Sequence, residues 1–416
     1  MIRKIWLDVI LASIFIFVLA FGISNAAALK LFDLFDPIGE AFEDMEFTDI
    51  VFSQLREAPV PDERIVLVNV ANEPRPSIGT MLSIINQYNP RVVGIDLQFL
   101  SPLDSLGDAI LEDAFANTNN LVLASKILYD YQDRDGYDSL EQIIPRFLQH
   151  ATDTAFVNLT AVGAQVQEDL KMCRSFVPHE NVGGKDQYAF GVKLAQYYDE
   201  IAAQKFLNRR NQQETINYRG NVMDFGASDF GTLFFALDVP DVYNENFTPE
   251  VIEDKIVIFC YLGKYLGDRE SLEDKYFTPV NKKYIGRAYP DMYGGVIHAN
   301  IISMILNEDY VNEMGDITSY VLAVILCLLN VALFSIIYIK LPRWYYGVTK
   351  MLQLLEVFAL VSLIIYVFDA FSYKLALIPS LAVIALSGDS LEVYYGVLKN
   401  AFTREGSRKL KEAKKL

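Results

Sequence analysis

Three carboxylates stand at and after the end of one apolar run, RVVGIDLQF (91–99), and they form the first candidate site. Asp96 lies near the end of that run, and Asp104 and Asp108 follow it. Ligands of parallel α/β sheets gather at the carboxyl ends of strands, so we expect these acids to line a cleft. The alternative is that Asp96 caps a neighbouring loop while the other two are solvated.

Arginine and histidine supply the remaining candidates for ligand binding. Arg75, Arg174 and Arg219 offer guanidinium groups that match a carboxylate or phosphate, although in an acidic domain they also serve as internal salt-bridge partners. A histidine on the helix preceding a membrane span would pass a pH or ligand effect to the membrane, unless it is a hydrogen-bonded packing residue. The candidate ligand-binding set is Asp96, Asp104, Arg75, Arg219 and His298.

Catalytic and metal-binding motifs are missing from the sequence. There is no GxSxG, P-loop or GxGxxG, and LGKYLGD (262–268) lacks the Gly-Lys-Ser/Thr order that cradles phosphate. The three histidines form no HExxH, and no DxDxDG loop is present. We therefore predict no catalytic residue, no enzyme activity, no metal site and no cofactor.

The three cysteines, Cys173, Cys260 and Cys327, form no CxxC pair. We expect them to be small buried hydrophobic residues. A bridge between Cys173 and Cys260 is the alternative if the domain is exported.

Four acids fall within or beside long apolar segments. A charge in hydrocarbon costs about 2.5–3.5 kcal/mol on insertion scales, so these acids need partners. They pair within the chain with Arg3, Lys4, Lys340 or Arg343, or they dock a partner membrane protein, or they form an ion path. We expect all of them to lie towards the cytoplasmic side: Asp8, Glu356, Asp389 and Glu392.

Apolar segments long enough to cross a bilayer occur at both ends of the chain. The predicted spans are 5–29, Thr318–Ile339, Met351–Tyr366 and Leu375–Tyr395. The first resembles a signal peptide with Ala26–Ala28 as a cleavage site, but its apolar core is long, which favours an uncleaved anchor.

Lysine and arginine at the ends of these spans predict the orientation. The N-terminal pair, the loop KLPRWYYGVTK and the basic tail all belong in the cytoplasm, which four crossings satisfy. Residues 30–316 then lie outside the cytoplasm. The tail after residue 396 lies against anionic membrane lipid or docks on an acidic partner.

The exported segment alternates between strand and helix patterns. Strands are predicted at 63–70, 91–99, 120–128, 156–163, 214–220 and 254–263, and helices at 77–90, 107–120, 190–207 and 291–310. This order predicts an α/β fold: a mixed, largely parallel sheet flanked by helices, joined to an α-helical membrane bundle of four spans.

Charge divides in the same way as the fold. The formal net charge is −17, but residues 30–316 hold 46 acidic and 23 basic residues, while the remainder is net basic. Nucleic acid binding needs a basic surface, so this acidity excludes nucleic acid as a partner.

Six segments in order resemble the second type of CHASE domain, the cyclase/histidine-kinase-associated sensory extracellular family. They are RVVGIDLQFLSPLD (91–104), VNL (157–159), INYRG (216–220), DKIVIFC (254–260), YFTP (276–279) and GGVIHANIISMIL (294–306). The resemblance implies an extracytoplasmic sensory domain followed by three spans. We expect a stand-alone form without an effector domain.

Together these patterns predict a protein of the bacterial inner membrane with cytoplasmic termini and a periplasmic main domain. It would bind a ligand or protein outside the cytoplasm and relay that binding to a separate partner. A scaffold subunit of an envelope assembly and a transporter component are the alternatives. A homo-oligomer is also open. The expected organisation is 1–29, first span; 30–62, connector; 63–316, sensory domain; 317–396, three spans; and 397–416, basic tail.

Overall fold

The computed structural model describes residues 2–24, 47–56, 60–129, 137–159, 172–222, 233–281 and 289–399. The chain divides into two compact units. One unit is Phe52–Val311, and the other combines Met1–Val51 with Asn312–Leu416.

The described helices and strands are numbered in chain order. The helices are α1 (Ile2–Ser24), α2 (Phe47–Ile50), α3 (Arg75–Asn86), α4 (Ser105–Ala116), α5 (Pro145–Leu148), α6 (Phe190–Tyr198), α7 (Glu200–Leu207), α8 (Val239–Tyr243), α9 (Gly294–Leu306), α10 (Asp316–Lys340), α11 (Tyr345–Phe371) and α12 (Ile378–Val393). The strands are β1 (Ile65–Asn69), β2 (Val92–Ile95), β3 (Leu121–Ser125), β4 (Ile127–Tyr129), β5 (Tyr137–Leu140), β6 (Asp153–Phe156), β7 (Ser175–Phe176), β8 (His179–Val182), β9 (Lys185–Tyr188), β10 (Glu214–Thr215), β11 (Phe235–Leu237), β12 (Ile256–Cys260), β13 (Lys275–Tyr276), β14 (Met292–Tyr293), β15 (Asn312–Glu313) and β16 (Tyr373–Lys374).

The unit Phe52–Val311 is built on a six-stranded parallel sheet in the order β11–β1–β12–β2–β3–β6. The four central strands are buried along their whole length and consist mainly of apolar residues. A parallel sheet needs such strands because helices cover both of its faces. The prediction of an α/β fold with a parallel sheet is confirmed.

One face of the sheet packs on α3, α4, α5 and α8. Alternate strand residues, such as Val93 and Ile95 of β2 and Phe259 of β12, join this core. Phe99, Phe115 and Phe147 meet there in edge-to-face contacts with centroids 5.2–5.6 Å apart.

The opposite face packs on α6 and α9. Gly94 of β2 allows this approach, because a Cβ there would stand 2.7 Å from atoms of Phe190 and Leu194 on α6. All thirteen residues of α9 are buried. α9 is therefore a central helix of this unit.

Small sheets complete this unit. β4, β5, β8 and β9 form one sheet, β7 pairs with β10, and β13 pairs with β14. All three cysteines are buried free thiols, so Cys173 and Cys260 are not bridged.

Some predicted elements differ in the structure. The strand predicted at 214–220 is limited to β10, because Arg219 and Gly220 donate their backbone N–H groups to Asn300 of α9 and not to a strand. The helix predicted at 190–207 breaks at Asp199, whose extended backbone and side chain cap α7. The part of the predicted strand 156–163 beyond residue 159 lies outside the described residues.

The other unit contains the long apolar helices. Among the described residues, three helical segments are long and apolar enough to cross a membrane: α10, α11 and Ile378–Leu398, which joins α12 to a π-helical turn. In α1 the apolar segment with described side chains, Trp6–Gly22, is shorter than these. The findings therefore support three candidate spans at the C-terminal end, where the sequence predicts four spans in all.

The interior of this unit is shared by α1, α10 and α12. Val9, Ala12 and Ile16 of α1 join Cys327, Val331 and Phe334 of α10 and Val383 and Leu391 of α12 in one buried cluster. The strand β15, just before α10, pairs with β16 in the loop between α11 and α12.

Candidate functional site

Three side chains form a row where the central strands of the sheet end. Asn69 of β1 pairs in register with Cys260 of β12, and the backbone N–H of Asp96, next to β2, donates to Phe259 O at 2.8 Å. Side chains alternate between the faces of a strand, so this register puts Asn69, Cys260 and Asp96 on the face covered by α9. The row occupies the carboxyl edge, where parallel sheets commonly bind ligands.

Asn69 holds the loop that follows β12. Its Oδ1 accepts the backbone N–H of Leu262 at 2.9 Å, and its Nδ2 donates to Asp238 Oδ1 at 2.9 Å and to Gly263 O at 3.1 Å. Its polar atoms are therefore used in fixing the loop over the ends of β1 and β12.

The first turn of α9 closes the row from above. A Cβ on Gly295 would overlap the Cys260 side chain and stand 3.9 Å from Asp96 Oδ2, and a Cβ on Gly294 would stand 2.8 Å from Asp274 Oδ2. The two glycines therefore let the helix start directly against both carboxyl groups. The positive end of a helix dipole favours negative charge at this position.

Asp96 and Asp274 form the electrostatic centre of the site. Loss of hydration raises the pKa of Asp96 to about 8, the Asp274 carboxylate raises it as well, and Lys126 lowers it. Burial beside these two acids also raises the pKa of the Cys260 thiol well above its usual value, which keeps the thiol protonated. The raised pKa favours the protonated form of Asp96 at neutral pH.

Comparison with known proteins gives the family. The family model of the CHASE2 domain matches residues 12–338. This chain belongs to the CHASE2 domain family. Its members are sensory extracellular domains, and together with the C-terminal apolar helices this membership is consistent with a membrane sensory protein. Neither the curated proteins nor the solved structures contain a significant match.

Of the predicted site residues in the CHASE2 domain, Asp96 lies in the row at the sheet edge. Sequence reasoning missed its neighbour Asp274, which is far away along the chain. The sequence offered only an indirect signal: Asp274 directly precedes β13, which overlaps the YFTP segment (276–279).

Asp104 and Arg75 have structural partners at the start of α4. Asp104 is the N-cap of α4, with Oδ2 accepting the Gly107 N–H at 2.8 Å. Arg75 donates to Asp108 at 2.6 Å and lies 5.4 Å from the ring centroids of Phe99 and Phe147. The salt bridge of Arg75 matches the alternative given for the arginines, whereas Asp108 is buried and not solvated as the alternative for the acids had it.

Arg219 and His298 lie around α9. Arg219 donates to Asp309 Oδ2 at 2.7 Å. His298 is buried, and its ring meets Phe190 edge-on with centroids 5.2 Å apart. Its Nδ1 has no hydrogen-bond partner among the described residues. Burial lowers the pKa of His298 to about 3, so the imidazole is neutral near pH 7. Its helix ends at Leu306, earlier than the predicted 291–310.

The four acids predicted within or beside the apolar segments have intrachain partners. Asp8 accepts from Lys399 Nζ at 2.5 Å, and Asp389 accepts from Lys350 Nζ at 2.7 Å. The other two acids have neutral partners, Glu356 with Asn330 Nδ2 at 2.7 Å and Glu392 with the Tyr346 hydroxyl. The two lysines were not among the partners expected from the sequence, and the side chains of Arg3 and Lys4 lie outside the described residues.

Metal binding has no grouping of ligands to support it in the described part of the chain. There, no three side chains of His, Cys, Asp or Glu are arranged to hold a metal ion.

Proposed function

We propose that this chain is an integral inner-membrane sensory protein. Its CHASE2 domain, residues 63–316, lies in the periplasm, binds a ligand at the sheet edge, and relays binding to a separate partner protein. The observation that carries the proposal is the contact of Asp96 and Asp274 with the first turn of α9, the helix that precedes the first C-terminal candidate span.

The chemistry of the sheet edge favours a small ligand that carries positive charge or donates hydrogen bonds. Asp96 has no side-chain hydrogen-bond partner among the described residues and is half-buried. A cationic group beside Asp96 and Asp274 would be attracted to the two carboxyl groups and would lower the pKa of Asp96. The arginines Arg75 and Arg219 already bind carboxylates of the protein, so they favour an anionic ligand less.

The relay is proposed to follow the chain from α9 to α10. Only residues 307–315 separate the end of α9 from the start of α10. Because α9 is buried on all sides, a displacement at its first turn changes the packing along its length. The domain boundaries 30–62, 317–396 and 397–416 are part of the same proposal.

The proposed topology has four spans with both termini in the cytoplasm. It is supported by the basic residues at the ends of the spans and by the packing of α1 on α10 and α12. Single cysteines at exposed positions 139 and 184 should react with a membrane-impermeant maleimide in intact cells, and one at Trp344 should react only after lysis. Labelling of position 344 in intact cells would contradict the topology.

Ligand binding is tested with the full chain in detergent and a panel of small primary amines such as putrescine. We expect the amines to raise the Tm of the wild type and to have little effect on Asp96→Asn. Asp104→Asn is the matched control, because it removes one acid nearby and keeps an N-cap acceptor. An equal shift in wild type and Asp96→Asn, or none in wild type, would contradict the site.

Partner coupling is tested by affinity purification in mild detergent from cells grown under several conditions. Recovery of the chain alone under all conditions would count against a separate partner.

A scaffold role is the second candidate, and one surface feature favours it. Leu103, just before α4, and Leu106, in its first turn, are 74% and 70% exposed. Contiguous exposed apolar patches mark protein-binding surfaces, and two leucines three positions apart could form part of one. A scaffold should co-purify with its partner in a fixed stoichiometry. The double variant Leu103→Ser with Leu106→Ser should abolish that co-purification, and amines should leave it unchanged.

A further inference from the structure

One acid of the membrane-spanning helices differs from the others in its partner and its depth. Asp8 and Asp389 each meet a lysine, and Glu392 meets a tyrosine hydroxyl near the end of α12. Glu356 meets only the side-chain amide of Asn330 among the described residues. It therefore lacks a cation in the described part of the chain.

Glu356 lies deep in its helix. It is the twelfth of the 27 residues of α11, and a rise of 1.5 Å per residue puts it about 17 Å from the start of the helix. A hydrocarbon layer of about 30 Å then has Glu356 near its centre, rather than towards the cytoplasmic side as the sequence predicts. Ionisable groups at this depth are costly and usually have a functional partner.

The flank of α11 beside Glu356 is exposed where the structure describes this unit. α11 has five buried residues, against eight in α10 and seven in the shorter α12. Ala359, Leu363 and Tyr366 follow Glu356 at helical spacing, and all three are exposed. Glu356 therefore lies at the border between the face that packs on the bundle and a face left open.

We propose that this flank is the docking site for a membrane-spanning helix of a different protein. That helix carries a Lys or Arg near mid-membrane. Lipid chains offer no hydrogen-bond donor at this depth. A second copy offers no cation either, because its predicted spans contain no Lys or Arg. The small side chain of Ala359 allows close approach of a helix.

This inference rests on the proposed function, since it names the kind of partner and its contact. The test places the photoreactive residue p-benzoyl-phenylalanine at Leu363 of the full chain in intact cells. The control replaces Phe358, which is exposed on the opposite side of α11. We expect an adduct with another membrane protein from position 363 and at least fivefold less from position 358.

Glu356→Gln tests the role of the charge, because glutamine keeps an acceptor for Asn330 and preserves the fold. The adduct from position 363 should fall at least fivefold in Glu356→Gln and stay unchanged in Asp389→Asn. Mass spectrometry should locate the adduct in a predicted span containing Lys or Arg, and Ala in place of that residue should give the same loss.

Three outcomes would overturn the inference: an adduct with a second copy of this chain, an adduct with lipid alone, or an adduct that Glu356→Gln leaves unchanged. If a partner still co-purifies in those cases, the proposed function stands and only this contact is wrong. If no partner is recovered and no adduct forms, both are wrong.

Discussion

Asn300 and Gly220 exchange hydrogen bonds between a helix and a loop. Asn300 Oδ1 accepts the Gly220 N–H at 3.1 Å, and Asn300 Nδ2 donates to Gly220 O at 2.9 Å. The same Oδ1 accepts the Arg219 N–H at 2.6 Å. One buried side chain of α9 thereby satisfies three backbone groups of a segment that the sequence predicts as a strand.

Asn300→Ala should lower the free energy of unfolding of the full chain by about 2–4 kcal/mol, because it leaves buried backbone groups without partners. Urea unfolding in detergent measures the change. Asn244→Ala is the control, since Asn244 is exposed and its side chain donates to Pro240 O. Equal losses in the two variants would contradict the role of Asn300.

Gly295→Ala should destabilise the domain by about 1–3 kcal/mol, because the new methyl group overlaps the Cys260 side chain. Thermal unfolding of the full chain measures it. Gly315→Ala serves as control, since a Cβ at position 315 meets nothing within 4 Å. A wild-type Tm for Gly295→Ala would show that α9 does not begin against β12.

Asp96→Asn should change the dependence of stability on pH. The pKa of Asp96 is raised from 3.8 to about 8 in the folded state, so the folded state binds the proton more tightly. Its contribution to stability is present below about pH 4 and is lost as the pH rises towards 8. Unfolding at pH 5 and pH 8.5 should show Asp96→Asn gaining roughly 4 kcal/mol over wild type between these pH values. A constant difference would contradict the raised pKa.

His298→Phe should protect the fold against acid. The pKa of His298 is lowered from 6.5 to about 3 by burial, so its contribution to stability is lost as the pH falls from about 6.5 towards 3. Between pH 7 and pH 4.5 the variant should gain about 2 kcal/mol over wild type in unfolding experiments. The control is His179→Gln, a change at an exposed histidine, which should follow the wild-type profile. If His298→Phe also followed the wild-type profile, the buried, neutral imidazole would be contradicted.

The position of Asp96 was predictable, whereas its neighbours were not. The buried run before Asp96 identifies a strand, and parallel strands end at one edge, so the sequence alone predicts Asp96 at the carboxyl edge. Asp274 comes from a loop after β12, and no local pattern brings it to the same edge. The predicted group of Asp96, Asp104 and Asp108 separates for a local reason, since Asp104 caps α4 and Asp108 binds Arg75.

Local conflicts also limited the prediction of secondary structure. Asp199 in YYDEIAAQ is a good N-cap and therefore indicates the start of a new helix. The continuous apolar spacing nevertheless predicts one helix over 190–207. INYRG has strand-forming residues, yet its backbone groups are satisfied by Asn300, a contact between distant parts of the chain.

The sequence by itself determined the parallel α/β domain, the apolar helices and the CHASE2 membership, because periodicity and hydropathy depend on neighbouring residues. Only the tertiary structure decided that Asp274 joins Asp96 at α9, and that Lys399 and Lys350 pair with Asp8 and Asp389. It also decided that Glu356 has a neutral partner. These contacts join residues far apart in the chain, and sequence spacing does not encode which of many charged side chains will meet.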